Sequence, residues 1–211
     1  SSGRIIAQLA HSGLFADPLL TGHPPLAPSA ISDITQNTVQ EMTLSDIQNV
    51  VESFSLAAQR AQKAGFDGVQ LHSAHGYLLS QFLSPFFNRR SDRYGGDIEN
   101  RTTIHLEIID AVRSYIGNDF PLLIKMNTGD FIEGGLELAD ALKAGILFSQ
   151  KGLDAIELSG GTGLSGKLNP VRTGIRKESD EAYFKDASAL FKEHIDIPII
   201  LVGGFRSFEI A

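Results

Sequence analysis

Two histidines and a tyrosine crowd one short stretch of the chain: His72, His75 and Tyr77 in LHSAHGY, directly after the apolar run GVQL. Read with period two, GVQLH puts Gln70 and His72 on one face of a strand and Val69 and Leu71 on the other. Burying an imidazole without a partner costs about 1–3 kcal/mol, so such a histidine is either satisfied by neighbours or faces a ligand. Two imidazoles aimed at one oxygen form a two-donor clamp that stabilises negative charge developing there. A tyrosine beside them adds a phenolic proton with an ordinary pKa of about 10, suited to protonating a carbanion-like carbon rather than to base work at neutral pH. A satisfied core histidine followed by a surface turn explains the same spacing. Half a metal site does too, but a catalytic zinc usually takes three protein ligands and no further ligand stands nearby in sequence, so no metal centre is expected.

Lys125 closes the run LLIK and, facing inward, has two chemistries open to it. As an ammonium it stabilises an anionic ligand; desolvated and neutral, it is a Schiff-base nucleophile. A snorkelling surface lysine is the plain alternative. Gly203 and Gly204 follow IILV, where the lack of side chains lets backbone N–H groups approach a phosphate at the head of the next helix. The run SGGTGLSG from Ser159 reads as a mobile loop.

Positioning these residues requires strands that end together. Five apolar runs end in polar or glycine residues, at Arg4–Ala10, Gly68–Ser73, Pro121–Asn127, Ala155–Gly161 and Pro198–Gly204. Between them, Leu44–Ala64, Ile98–Ile116, Leu136–Gln150 and Glu181–His194 carry helical periodicity. Thr43 with Asp46 predicts a capping box for the first helix, and Gly65 its C-terminal stop. The alternation implies right-handed crossovers and a parallel sheet. A doubly wound sheet and a (βα)8 TIM barrel both satisfy it. The first βα connection lacks GxGxxG, and Gln8, His72, Lys125, Asn127, Ser159 and Gly203 gather at the C-terminal ends of different strands, which is where a barrel keeps its chemistry. The expected fold is therefore α/β, a partial TIM barrel of about five βα units. Residues 1–211 are expected to be the central portion of a single domain, with strands missing at both ends. The linkers Leu14–Met42, Pro85–Asp97 and Gly160–Asp180 are expected to lie over the active rim as substrate-facing loops.

The net charge of −7 and the absence of a basic tract argue against nucleic acid or an anionic membrane as partner, leaving a small-molecule substrate. The sequence has no cysteine, which excludes disulfides, thiolate metal sites and a cysteine nucleophile in this chain, and it has no apolar run of membrane-spanning length. A cytoplasmic protein is expected.

QLAHSG at Gln8–Gly13, PPLAPSAI at Pro24–Ile31, LHSAHGYLLSQFLSP and NRRSDRYGGDIENR together resemble the old yellow enzyme family of FMN-dependent NADH:flavin oxidoreductases. The HxAHGY form is similar to the bacterial branch with dienoyl-CoA reductase-like members. The resemblance implies that Gln8 hydrogen-bonds the flavin pyrimidine edge, that Lys125 stands near flavin N1 where the family usually has arginine, and that Gly203 and Gly204 meet the phosphate. It implies that His72 and His75 hold the carbonyl oxygen of an electron-poor alkene and that Tyr77 protonates its α-carbon. The implied reaction is ping-pong: NAD(P)H passes hydride to FMN, which passes it to the β-carbon of the alkene. Leu14 stands where the family motif often continues with arginine. Related proteins carry about two more strands before Arg4 and one after Ala211, and in some an iron–sulfur domain outside this region. The alternatives to an ene-reductase are a catalytically inert barrel fragment and a barrel lyase using Lys125. Exposed strand edges in such a segment predict association, as in a homo-oligomer.

Overall fold

The computed structural model describes residues 3–31, 34, 35 and 37–211; residues 32, 33 and 36 of the Leu14–Met42 linker lie outside this set. In chain order its elements are β1 (Ile6–Leu9), α1 (Pro18–Thr21), β2 (Leu26–Ala27), β3 (Gln40–Glu41), α2 (Leu44–Lys63), β4 (Gly68–Ser73), α3 (Leu78–Leu83), α4 (Ile98–Arg101), α5 (Thr103–Ile116), β5 (Leu122–Asn127), α6 (Leu138–Gln150), β6 (Ala155–Ser159), α7 (Lys185–His194) and β7 (Ile199–Leu201). The main sheet is all parallel and runs β1-β4-β5-β6-β7, so its spatial order is its chain order. A doubly wound sheet reverses direction partway and carries helices on both faces. Here α2, α5, α6 and α7 pack in succession against one another as a single layer, with α2 on β1 and β4, α6 on β6 and α7 on β7. This is an arc of a TIM barrel, polar on its inner face.

The alternation of each strand explains that division. Val69 and Leu71 of β4, Leu122, Ile124 and Met126 of β5, and Ile156 and Leu158 of β6 are buried in one core with Ile47, Phe54, Ile108, Phe148 and Phe191 of the helices. The intervening positions carry Gln70, His72, Lys125, Asn127, Glu157 and Ser159 on the opposite face. α2 begins at the expected capping box: Asp46 N–H donates to Thr43 Oγ1 over 3.1 Å, and Thr43 N–H donates to Asp46 Oδ2 over 2.8 Å. Gly65, at φ +87°, ends it.

Several expected boundaries move inward, for local reasons. The helix expected from Glu181 starts only at Lys185, because Ala182 sits at φ +49°, outside the helical region. β7 stops at Leu201, since Gly203 (φ +138°) and Gly204 (φ +72°) leave the extended conformation. The single helix expected over Ile98–Ile116 divides at Thr102, whose hydroxyl donates back to the Glu99 carbonyl over 2.7 Å. The paired two-residue strands β2 and β3 lie inside a segment read as linker.

The Pro85–Asp97 stretch differs most from expectation. Phe87, Asn88 and Tyr94 are buried, so it is packed interior rather than a substrate-facing loop. Asn88 Nδ2 donates to the carbonyls of Phe82 and Tyr94, and Arg90 donates to those of Pro28 and Met42 while pairing with Asp92 at 2.6 Å. Further on, the buried Arg101 donates to the carbonyls of Leu83 and Gly96 and pairs with Asp140 at 2.5 Å. NRRSDRYGGDIENR thus clamps α3 to the helical layer, with Arg90 and Arg101 turned into the protein and Arg89, Arg93, Asp97 and Glu99 on the surface.

Candidate active site

β4 delivers the site. Behind its end, the Ser73 hydroxyl lies 2.8 Å from His105 Nε2 of α5, and His105 stacks on Phe148 with ring centres 5.0 Å apart. His72 takes the opposite, inner face. It is 5% exposed, and its buried Nδ1 has no hydrogen-bond partner among the described residues. Burial, helped by the positive charge of Lys125 and opposed by Glu157, lowers its pKa to about 4. The imidazole is therefore neutral at pH 7.

His75 lies just past the strand end at φ +66°, a left-handed conformation uncommon for a side chain of this size. Three contacts hold it there. Its backbone N–H donates to Asn127 Oδ1 over 3.1 Å, its Nε2 lies 2.8 Å from Ser159 Oγ, and it bridges to Thr162. Asn127 is fully buried and spends its own N–H groups on Asp130 Oδ1 and the Gly161 carbonyl, at 2.9 and 3.0 Å. Backbone strain over-determined in this way is common where a side chain must be aimed. Burial first, then His72 and Lys125, brings the pKa of His75 to about 4 as well.

Gly76 (φ +82°) completes the turn, and Tyr77 is the N-cap residue of α3. The rings of His75 and Tyr77 lie 5.0 and 5.2 Å from that of His72, both edge-on. The three residues therefore form one cluster. Tyr77 is partly exposed and, with Phe15, His75, Asn169 and Val171, lines an open cleft of about 440 Å³. Behind the cluster, the buried Gln81 ties the loop after β1 to this turn: its Oε1 accepts from Leu14 N–H, and its Nε2 donates to the Gly76 carbonyl.

Lys125 and Gln8 belong to a ladder across the inner face. Gln8 Nε2 donates to Gln70 Oε1 at 2.7 Å, Gln70 Nε2 donates to Glu157 Oε2 at 2.8 Å, and Lys125 Nζ meets Glu157 Oε1 at 2.8 Å. Glu157 was not among the residues the sequence singled out. Its signal was legible in AIELS, a charged residue mid-strand and in phase with Ser159.

Gly203 and Gly204 lie on the same rim, packed against Tyr183, where a Cβ on Gly204 would come within 2.9 Å of the ring. The N–H groups of Arg206 and Ser207 just beyond them both donate to Glu181 Oε2, at 2.7 and 2.9 Å. Those bonds hold the Glu181 carboxyl below its ordinary pKa. This loop holds an anion, and in this structure the anion is a side chain. The described residues contain no cluster of three or more metal-ligating side chains, and no described helix is long and apolar enough to cross a membrane.

Comparison with known proteins agrees with this arrangement. The profile of the NADH:flavin oxidoreductase / NADH oxidase family matches residues 2–211. A metal reductase of Desulforamulus reducens is 43% identical over 159 residues, which is 75% of this chain and 24% of that protein. An NADPH dehydrogenase of Halalkalibacterium halodurans is 40% identical over 181 residues, covering 86% of this chain and 52% of that one. The solved old yellow enzyme homologue from Zymomonas mobilis superimposes with a TM-score of 0.78 at 25% identity, over 99% of this chain and 59% of that one. The chain thus spans between a quarter and six-tenths of the length of these relatives. With the parallel arc, the QLAHSG strand end and the HSAHGY turn all in place, the chain belongs to the NADH:flavin oxidoreductase / NADH oxidase family.

Proposed function

We propose that this chain is the central portion of the FMN-binding barrel domain of an NAD(P)H-dependent oxidoreductase that reduces activated C=C bonds of a small molecule by a ping-pong reaction. The observation that carries the reading is the cluster of three polar rings, in which His75 and Tyr77 line the cleft and His72, packed edge-on against both, keeps a buried Nδ1 with no partner among the described residues. A buried polar atom left without a partner costs about 1–3 kcal/mol, and a ligand atom would satisfy it. Gln8, Lys125, Gly203 and Gly204 are the residues we assign to holding FMN. The exposed amide of Gln8 and the ammonium of Lys125 suit a polar heterocycle that gains negative charge on reduction.

When bound, FMN supplies hydride exchange between the nicotinamide and the alkene. The chain's own residues do the rest. His72 and His75, both neutral, donate N–H bonds to the substrate carbonyl oxygen and stabilise the negative charge that develops there. Tyr77 delivers its phenolic proton to the α-carbon. Lys125 Nζ is held 2.8 Å from Glu157 Oε1 rather than left free to attack a carbonyl, and borohydride trapping that labels Lys125 would favour the lyase reading instead.

The test uses full-length protein reconstituted with FMN, which should show flavin absorbance near about 450 nm. In that protein Tyr77→Phe should slow the oxidative half-reaction and spare flavin reduction; equal loss in both would contradict the proton-donor role.

A further inference from the structure

Glu157 stands between Gln70 and Lys125 in the polar ladder, and its chemistry decides how the ladder is polarised. A carboxylate paired with an ammonium can only accept hydrogen bonds. One oxygen of Glu157 is taken by Lys125 Nζ, and the other accepts from Gln70. The group that Gln70 turns toward Glu157 must therefore be its NH₂, because its carbonyl oxygen there would face a carboxylate. Gln70 is buried, at 7% exposed, and its Oε1 lies on the other side, where Gln8 Nε2 donates to it. That fixes Gln8 in turn. One N–H of its amide is spent on Gln70, leaving Oε1 and the second N–H for a ligand.

We infer that Glu157 is a positioning residue which, acting through Gln70, locks the Gln8 amide so that it presents an acceptor beside a donor on the inner face. The complementary ligand edge is a ring N–H flanked by a carbonyl, which is the chemistry of a flavin pyrimidine edge. This rests on the flavin reading above and adds what that reading leaves open, namely which way round the amide is held and by what. Nothing in Gln8 itself selects one orientation. The selection is made three strands away, on β6, by a charge that acts through Gln70.

The experiment compares binding of FMN and 3-deaza-FMN, in which a C–H replaces the ring N3–H, to the full-length apoprotein. The wild type should prefer FMN by about tenfold, the scale of one hydrogen bond. Glu157→Gln frees Gln70 to turn either way, and the preference should fall to within about twofold. Gln70→Glu combined with Glu157→Gln puts a fixed acceptor next to Gln8 at unchanged total charge, and should restore the preference. A merely structural role for Glu157 does not predict that rescue. Gln70→Leu, which cuts Gln8 off from the Lys125–Glu157 pair, should lose the preference as Glu157→Gln does, and serves where that variant does not fold. Wild-type preference retained in Glu157→Gln or Gln70→Leu would overturn the inference while leaving the proposed function standing. Failure of the wild type to bind FMN would overturn both.

Discussion

At the scale of residues, the histidines of the proposed site are held uncharged near neutral pH. Ordinary histidine titrates near 6.5, but His72 and His75 fall to about 4, and His105, sealed behind the strand, to about 3, in each case chiefly because burial disfavours the imidazolium. A neutral clamp should bind a neutral carbonyl ligand equally well from about pH 8 down to about pH 5.5, with no inflection at the ordinary histidine value. A titration showing a break near pH 6.5 would argue against it. The same shifts act on stability. Between the folded and unfolded values the unfolded chain binds more protons, so the contribution of these groups is complete above pH 6.5 and is lost as pH falls toward 4. The buried Asp130, whose carboxyl is raised, pulls the other way but is one group against three. The urea midpoint should therefore drop between pH 7.5 and pH 5, and a midpoint that rises would refute the assignment. His75→Ala should weaken a neutral enone ligand by roughly 0.5–1.5 kcal/mol in titration of the full-length protein, the range for a hydrogen bond between uncharged groups.

At the scale of elements, the two halves of the longest motif turn out to have different jobs. LHSAHGY carries the candidate site, whereas NRRSDRYGGDIENR holds α3, α4 and α5 together through Asn88, Arg90, Tyr94 and Arg101. Its first part reads from sequence as a substrate-facing loop, because a one-dimensional pattern does not show that the carbonyl of Phe82 meets Asn88 and that those of Met42 and Leu83 meet Arg90 and Arg101. Gly95 belongs to this framework: a Cβ there would lie 2.2 Å from the Arg90 carbonyl oxygen. Gly95→Ala should cost about 1–3 kcal/mol of stability by overpacking. Gly163→Ala, with no atom near its would-be Cβ, should stay within about 0.5 kcal/mol. Equal denaturant midpoints for the two variants would show that the framework yields freely. The helices and strands themselves were largely legible, since their period of 3.6 or 2 is a local property. Their ends were less so, because Ala182 and Gly203 take left-handed conformations that only their tertiary neighbours require.

At the scale of the whole molecule, the arc leaves the outer edges of β1 and β7 unpaired among the described residues, with Ile5, Ile6, Ile200 and Phe208 exposed nearby. Unpaired parallel edges with apolar flanks recruit other strands. The 211-residue chain by itself should therefore sediment as species larger than its 22.8 kDa monomer at micromolar concentration, and a sharp monomer boundary would contradict this. The sequence by itself determined the alternating elements, the family, and which face of β4 carries His72, because each follows from residue type and spacing along the chain. Only the tertiary structure decided that His72, His75 and Tyr77 are one cluster, that Asn127 and Ser159 hold His75 in a strained backbone, and that Gln8 and Glu157 meet at Gln70. The last two of these relations join partners 52 to 87 residues apart in the chain, so they exist only once parallel pairing has set the register; the first depends on the left-handed turn at His75 and Gly76.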